Sequence, residues 1–170
     1  SSWLINGLKT LIQVAAFWGL FLWAIPILIL RFESRAQMSW QVLKDPEVHA
    51  LGLLLFVGLS LVGLWSAWTM VRRGAGTPLP SDATRKLVTS GPYRWVRNPM
   101  AVAGIGQGIS VGLMLGSWLT VLYALIGSVT WNVIARPLEE ADLLSKFGES
   151  YRGYQQQVRC WIPVLPRKDQ

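Results

Sequence analysis

The residues best equipped for chemistry lie in two short polar stretches. Residues 87–99, LVTSGPYRWVRNP, hold Tyr93, Arg94, Trp95 and Arg97 between two breaks. Gly91-Pro92 favours a turn, because Gly tolerates positive φ and Pro presets φ. Asn98-Pro99 makes the second break, and Pro99 suits the first turn of a following helix. The other stretch is Glu139-Glu140, just after Arg136-Pro137. Two carboxylates near two guanidiniums can hold a zwitterionic ligand with both an ammonium and a carboxylate. Plainer readings stand beside this one. An acidic pair suits a helix N-terminus, arginines at span ends snorkel, and Tyr93 and Trp95 suit an interfacial belt. One Cys, Cys160, and one His, His49, exclude an internal disulfide and a clustered Cys or His metal site, so no metal is expected. No dinucleotide fingerprint, phosphate-binding loop or nucleophile elbow is present.

The elements that must position these residues are apolar. The 170-residue chain is 52% hydrophobic and 15% charged, with 10 Trp and a mean hydropathy of +0.36. A soluble domain carries about 25% charge, so the composition predicts an all-α integral membrane protein. Spans are expected at about 11–30, 50–71, 99–115 and 118–135, with Pro26 kinking the first. The uncharged run 100–135 would reach about 54 Å as one helix, too long for a ~30 Å core, so a hairpin turn is placed at Gly116-Ser117. Arg136-Pro137 is expected to end the last span. An amphipathic helical tail follows, with Leu143, Leu144 and Phe147 on one face, Gly148 as a stop, and Tyr151, Tyr154 and Val158 on a second apolar face. The tail is expected on the membrane surface. The organisation reads as a transmembrane hairpin over 1–73, then a loop, hairpin and surface helices over 74–170, within one compact unit.

Gly104, Gly108, Gly112 and Gly116 recur every fourth residue and put a glycine groove on one face. That groove serves helix packing or admits a ligand, and the two can coexist. The net charge of +7 reads as membrane flanking, with no nucleic acid as partner. With four spans, 16 Lys and Arg divide so that only Arg31, Arg35 and Lys44 fall on one side. Residues 87–99 and both termini are therefore expected on the cytoplasmic face, within reach of a water-soluble cofactor.

LVTSGPYRWVRNPM, the glycine-rich span, the acidic pair and FGESYRGYQQQVRCWIP together resemble the isoprenylcysteine carboxyl methyltransferase and phospholipid methyltransferase superfamily. The resemblance covers about residues 74–163, and the GAGTPLP loop looks like that of bacterial members, which implies a bacterial inner membrane. It implies S-adenosylmethionine as cofactor and a lipophilic substrate, either a carboxylate of an isoprenoid-like molecule or a phospholipid amine. Carried over by position, Leu87, Val88, Gly91 and Tyr93 would wall the cofactor site. Arg97, Asn98 and Pro99 match an Arg-His/Asn-Pro element, Gly104 and Gly106 a GxG element, and Glu139 and Glu140 the paired acids. Arg97 and Glu139 are the residues expected to act in catalysis. Asn98 stands where carboxyl methyltransferases usually have His, and Ala101 where an aromatic is usual. Two other readings remain: a sterol-reductase-like oxidoreductase using a nicotinamide cofactor, and a non-catalytic membrane protein retaining the fold. The oligomeric state is left open.

Overall fold

The computed structural model describes residues 2–39, 44–74 and 85–164, all helical or irregular with no strand among them. The GAGTPLP loop after Gly74, residues 81–84 and the basic pair Arg167-Lys168 lie outside the described residues. Helix α1 covers residues 2–35 and α2 covers Pro46–Gly74. Helix α3 is Pro99–Leu115, α4 is Trp118–Phe147 and α5 is Glu149–Gln157. α1, α2 and α4 are long and apolar enough to cross a membrane, and α3 is a shorter apolar helix of 17 residues. The chain is thus an integral membrane protein with three long spans and a shorter fourth apolar helix. Its outward side chains fit a lipid solvent: Leu54, Leu61, Trp23 and Val129 are more than 60% exposed.

One proline boundary differs from the sequence expectation. Pro137 does not end the last helix, whereas Pro26 lies inside the first span, as expected; one physical reason accounts for both prolines. A proline ring clashes with the carbonyl four residues back and cannot donate to it. Those carbonyls belong to Leu22 and Val133. Leu22 lies in a π-helical turn, Trp18–Ala24, and Val133 in another, Trp131–Ala135. The wider turn shifts the hydrogen-bond register, so each helix continues through its proline. Consequently Glu139 and Glu140 extend α4 beyond its apolar part instead of starting a separate helix. The first two spans are also longer than the apolar runs alone indicate. At the start of α2, Asp45 caps the helix by accepting from Glu47 N at 3.0 Å, with Pro46 in the first turn.

The hairpin turn lies where the glycine and serine place it. Gly116 adopts φ 63° at the end of α3, and Ser117 starts α4 by accepting from Thr120 N at 3.0 Å. Glu33, at the end of α1, accepts from Leu119 N at 3.2 Å and so satisfies a backbone donor at the start of α4. The glycine groove is filled by helix packing. A Cβ on Gly108 would lie 2.9 Å from the Ala124 Cβ, and one on Gly112 would lie 2.5 Å from Val121 Cγ2. α3 also packs closely on α2: a Cβ on Gly52 would meet the Ser110 carbonyl at 2.9 Å. One polar contact joins these two helices inside the membrane region, Gln107 donating to Ser60 Oγ at 2.9 Å.

Candidate active site

Residues 85–98 cross one end of the bundle, and the tail folds back over them. Gly91 opens a 3₁₀ turn, Gly91–Arg94, with φ +62°, and a Cβ there would lie 2.9 Å from Thr69 Oγ1. Glycine thus meets both a dihedral and a space requirement at this position. Tyr154 Oη donates to the Tyr93 carbonyl at 2.5 Å. Arg97 N donates to the Arg159 carbonyl at 2.9 Å, and Val164 N to the Trp95 carbonyl at 3.0 Å. Tyr151, Tyr154 and Val158 form a buried cluster packed by Leu87, Leu143, Leu144 and Phe147. The two apolar faces expected in the tail therefore meet each other and the loop. Trp161 ties the tail to α4, donating to Asn132 Oδ1 at 2.8 Å and stacking edge-on against Trp131 at 5.2 Å.

At the centre lies Arg97. Its Nη2 donates to Glu140 Oε1 at 2.6 Å, and its Nη1 donates to the Val158 carbonyl at 2.8 Å and the Gln155 carbonyl at 3.3 Å. Its side chain is 11% exposed. Burial alone would lower the guanidinium pKa, but the hydrogen bond and charge of Glu140 outweigh it and raise it. Glu140 Oε1 also accepts from Arg136 Nε at 3.2 Å. Beside it, Asn98 does two jobs: Oδ1 accepts from Ala101 N at 3.0 Å, capping α3, and Nδ2 donates to Glu139 Oε2 at 2.9 Å.

The two acids therefore differ. Glu140 is held by two arginines, whereas Glu139 is exposed with only one oxygen bonded among the described residues. At this end of the bundle the Tyr93 hydroxyl and Arg97 Nε are buried donors without a partner among the described residues. Burial raises the Tyr93 pKa, helped by the charges of Tyr154 and Glu139, so the phenol stays protonated as a donor. Burial likewise raises the Tyr151 phenol, to about 12, and the Cys160 thiol, which is no thiolate nucleophile. A free carboxylate oxygen for a cation and two donors for acceptors fit a ligand bearing both kinds of group.

Of the residues singled out in the sequence, the structure brings Arg97, Asn98, Glu139 and Glu140 into one hydrogen-bonded cluster. Tyr93 and Leu87 lie in the wall joining loop and tail. Val88 and Pro99 are buried. Gly91 packs on Thr69. Gly104 and Gly106 are not brought to the carboxylates: a Cβ on Gly104 would meet the Phe17 ring at 3.5 Å, and one on Gly106 would meet Leu59 at 2.6 Å. Sequence reasoning missed Arg136, although its spacing of four from Glu140 was a visible signal. It also missed Asn132 as the tether for Trp161 and the carbonyls of Gln155 and Val158 as Arg97 acceptors, for which the sequence carries no signal.

A membrane-embedded helical bundle with a hydrogen-bonded polar cluster at one end, roofed by its own tail, is the class these features define. Residues 47–150 match the model of the phospholipid methyltransferase family, and the chain belongs to that family. It is similar to a protein-S-isoprenylcysteine O-methyltransferase of Schizosaccharomyces pombe, 35% identical over 47% of this chain and 34% of the relative. It is also similar to methanethiol S-methyltransferases. That of Mycobacterium tuberculosis is 33% identical over 42% of this chain and 28% of the relative. That of a Pseudomonas species is 28% identical over 62% of this chain and 46% of the relative. Each match spans less than half the length of the relative.

Proposed function

We propose that the chain transfers a methyl group from S-adenosylmethionine to a lipophilic substrate, at the end of the bundle roofed by the tail. The observation that carries the proposal is the asymmetric acid pair on Arg97 and Asn98, in a chain whose relatives are named as methyltransferases. Glu139, with an oxygen to spare, pairs with the cofactor's ammonium. Glu140 is the positioning residue: it holds Arg97 and Arg136 in place. Arg97 Nε and the Tyr93 hydroxyl donate to acceptor groups of the ligands. Bound there, S-adenosylmethionine supplies a sulfonium-activated methyl group. The protein's task is then to align and to exclude water. The roof of residues 158–164 over the loop does the second. Alignment comes from Asn98, which fixes Glu139 to the start of α3, and from the Arg97 clamp across loop, tail and α4.

Among the described residues no base stands in the cluster beyond the two glutamates. Glu140 is ion-paired. Glu139, whose pKa burial and the Glu140 charge raise, is taken by the cofactor's ammonium in this reading. Tyr93 remains protonated, which leaves the site favouring a substrate that attacks without first losing a proton, such as a carboxylate. The site opens on the cytoplasmic face in this reading, as the Lys and Arg distribution favours. The test is transfer of labelled methyl from S-adenosylmethionine, by purified protein, into the organic phase of a membrane lipid extract. Label that appears with the natural protein and is lost with Glu139→Gln supports the proposal. No label with any lipid extract, from folded protein, overturns it.

A further inference from the structure

A polar cleft lies between the same loop and the end of α2. It encloses about 440 Å³ between α2 and residues 89–94, and its walls include Trp65, Thr69, Arg73, Thr89, Ser90 and Arg94. We propose that this cleft binds the phosphate group of a membrane amphiphile whose headgroup carries a net negative charge, with no headgroup cation to oppose the two guanidiniums, separately from the Arg97–Glu139–Glu140 cluster.

The chemistry of the walls is one-sided. Two guanidiniums and the hydroxyls of Thr89 and Ser90 line it, and no carboxylate among the described residues does. Among the described residues, neither Arg73 nor Arg94 has an ion pair, in contrast to Arg97 and Arg136, which share Glu140. Ser90 precedes the 3₁₀ turn without giving its side chain to a cap. Thr69 donates its hydroxyl to the Trp65 carbonyl at 2.8 Å and forms a neutral floor. Guanidiniums with adjacent hydroxyl donors match the acceptor oxygens of a phosphate. Arg94 is also held in place: it lies 4.6 Å from the Trp95 ring, which packs edge-on against Trp65 at 5.6 Å.

The position selects an amphiphile over a soluble anion. Trp65 is 46% exposed, and Leu61, one turn further into the span, is 64% exposed. The cleft therefore continues directly into an apolar, outward-facing strip of α2. A headgroup in the cleft would leave its acyl chain along Leu61 and Trp65, in the bilayer. The volume is that of a small-ligand pocket and is ample for a phosphate with its glycerol. The inference does not depend on methyl transfer.

Native mass spectrometry of the detergent-purified chain, titrated with phosphatidylglycerol and with phosphatidylcholine of the same acyl chains, tests it. We expect one phosphatidylglycerol bound in preference to phosphatidylcholine. The double variant Arg73→Gln with Arg94→Gln should weaken that binding roughly tenfold or more. Arg72→Gln is the control, because Arg72 stacks on Trp68 at 4.5 Å on the same helical turn but does not line the cleft. It should change affinity less than about twofold, and the melting temperature of each variant reports folding. Equal binding of the two lipids overturns the inference, as does an equal loss in Arg72→Gln, which would mean diffuse surface charge only. Competition by glycerol phosphate as effective as that of the intact lipid would also overturn it, since the site would then take a soluble anion.

Discussion

The seam between α3 and α4 and the face between residues 85–98 and the tail are built on opposite principles. In the seam there is nothing to desolvate, so contact comes from removing side chains. Gly108 and Gly112 let α4 approach until Ala124 and Val121 occupy the space of their missing Cβ atoms. At the loop–tail face the chain has left the apolar segments, and contact comes from directional bonds. Arg97 alone reaches a carboxylate and two carbonyls there. The seam tolerates no added atom. The face tolerates atoms but not the loss of a donor. The proposed binding chemistry sits where the second rule applies, because spare donors and a spare carboxylate oxygen can exist only where polar groups are plentiful.

Breaking the seam should have the largest effect. Gly112→Val should abolish folded protein in detergent, and Gly112→Ala should cost about 1–3 kcal/mol of stability. Gly127→Ala, at a position with nothing within 4 Å of an added Cβ, should be neutral or slightly stabilising. Melting curves of the three variants check the contrast. Next comes Arg97→Ala, which should cost about 2 kcal/mol of stability together with cofactor binding, since Glu140 and two carbonyls lose a donor. Arg97→Lys should restore little, because an ammonium cannot reproduce the planar fork.

The acid pair sharpens the comparison inside the face itself. Glu140→Gln should lower the melting temperature by removing the anchor of Arg97 and Arg136. Glu139→Gln should leave melting nearly unchanged and weaken S-adenosylmethionine at least about tenfold. Calorimetry beside thermal unfolding separates the two outcomes. The smallest effect concerns Cys160, a tail residue only 8% exposed. Burial raises its thiol, partly countered by Arg136 and Arg97. Alkylation at pH 8 should be far slower in folded protein than after denaturation, as a mass-shift time course would show.

The sequence made the apolar spans, the hairpin turn at Gly116-Ser117 and the two apolar faces of the tail legible, because each follows from local composition and spacing; that the two faces pack on each other was not. The continuity of α4 through Pro137 was not legible. A π turn has no residue signature, and proline alone argues for a break. In the site, Arg97, Asn98, Glu139 and Glu140 were recognisable as types in the right order. Their division of labour was not, because it depends on Arg136 reaching Glu140 while Asn98 reaches Glu139. The glycines carried an ambiguous signal. Spacing of four describes a groove, and only the positions of Val121, Ala124, Phe17 and Leu59 show what fills it.

The central claim is that Glu139 and Arg97 form a binding site for S-adenosylmethionine. Its most direct test is calorimetric titration of the detergent-purified protein and of Glu139→Gln with this cofactor. The account expects micromolar binding to the natural sequence and at least about tenfold weaker binding to a variant that melts at the same temperature. Equal affinity of the two proteins, or no binding to folded natural protein, would contradict it.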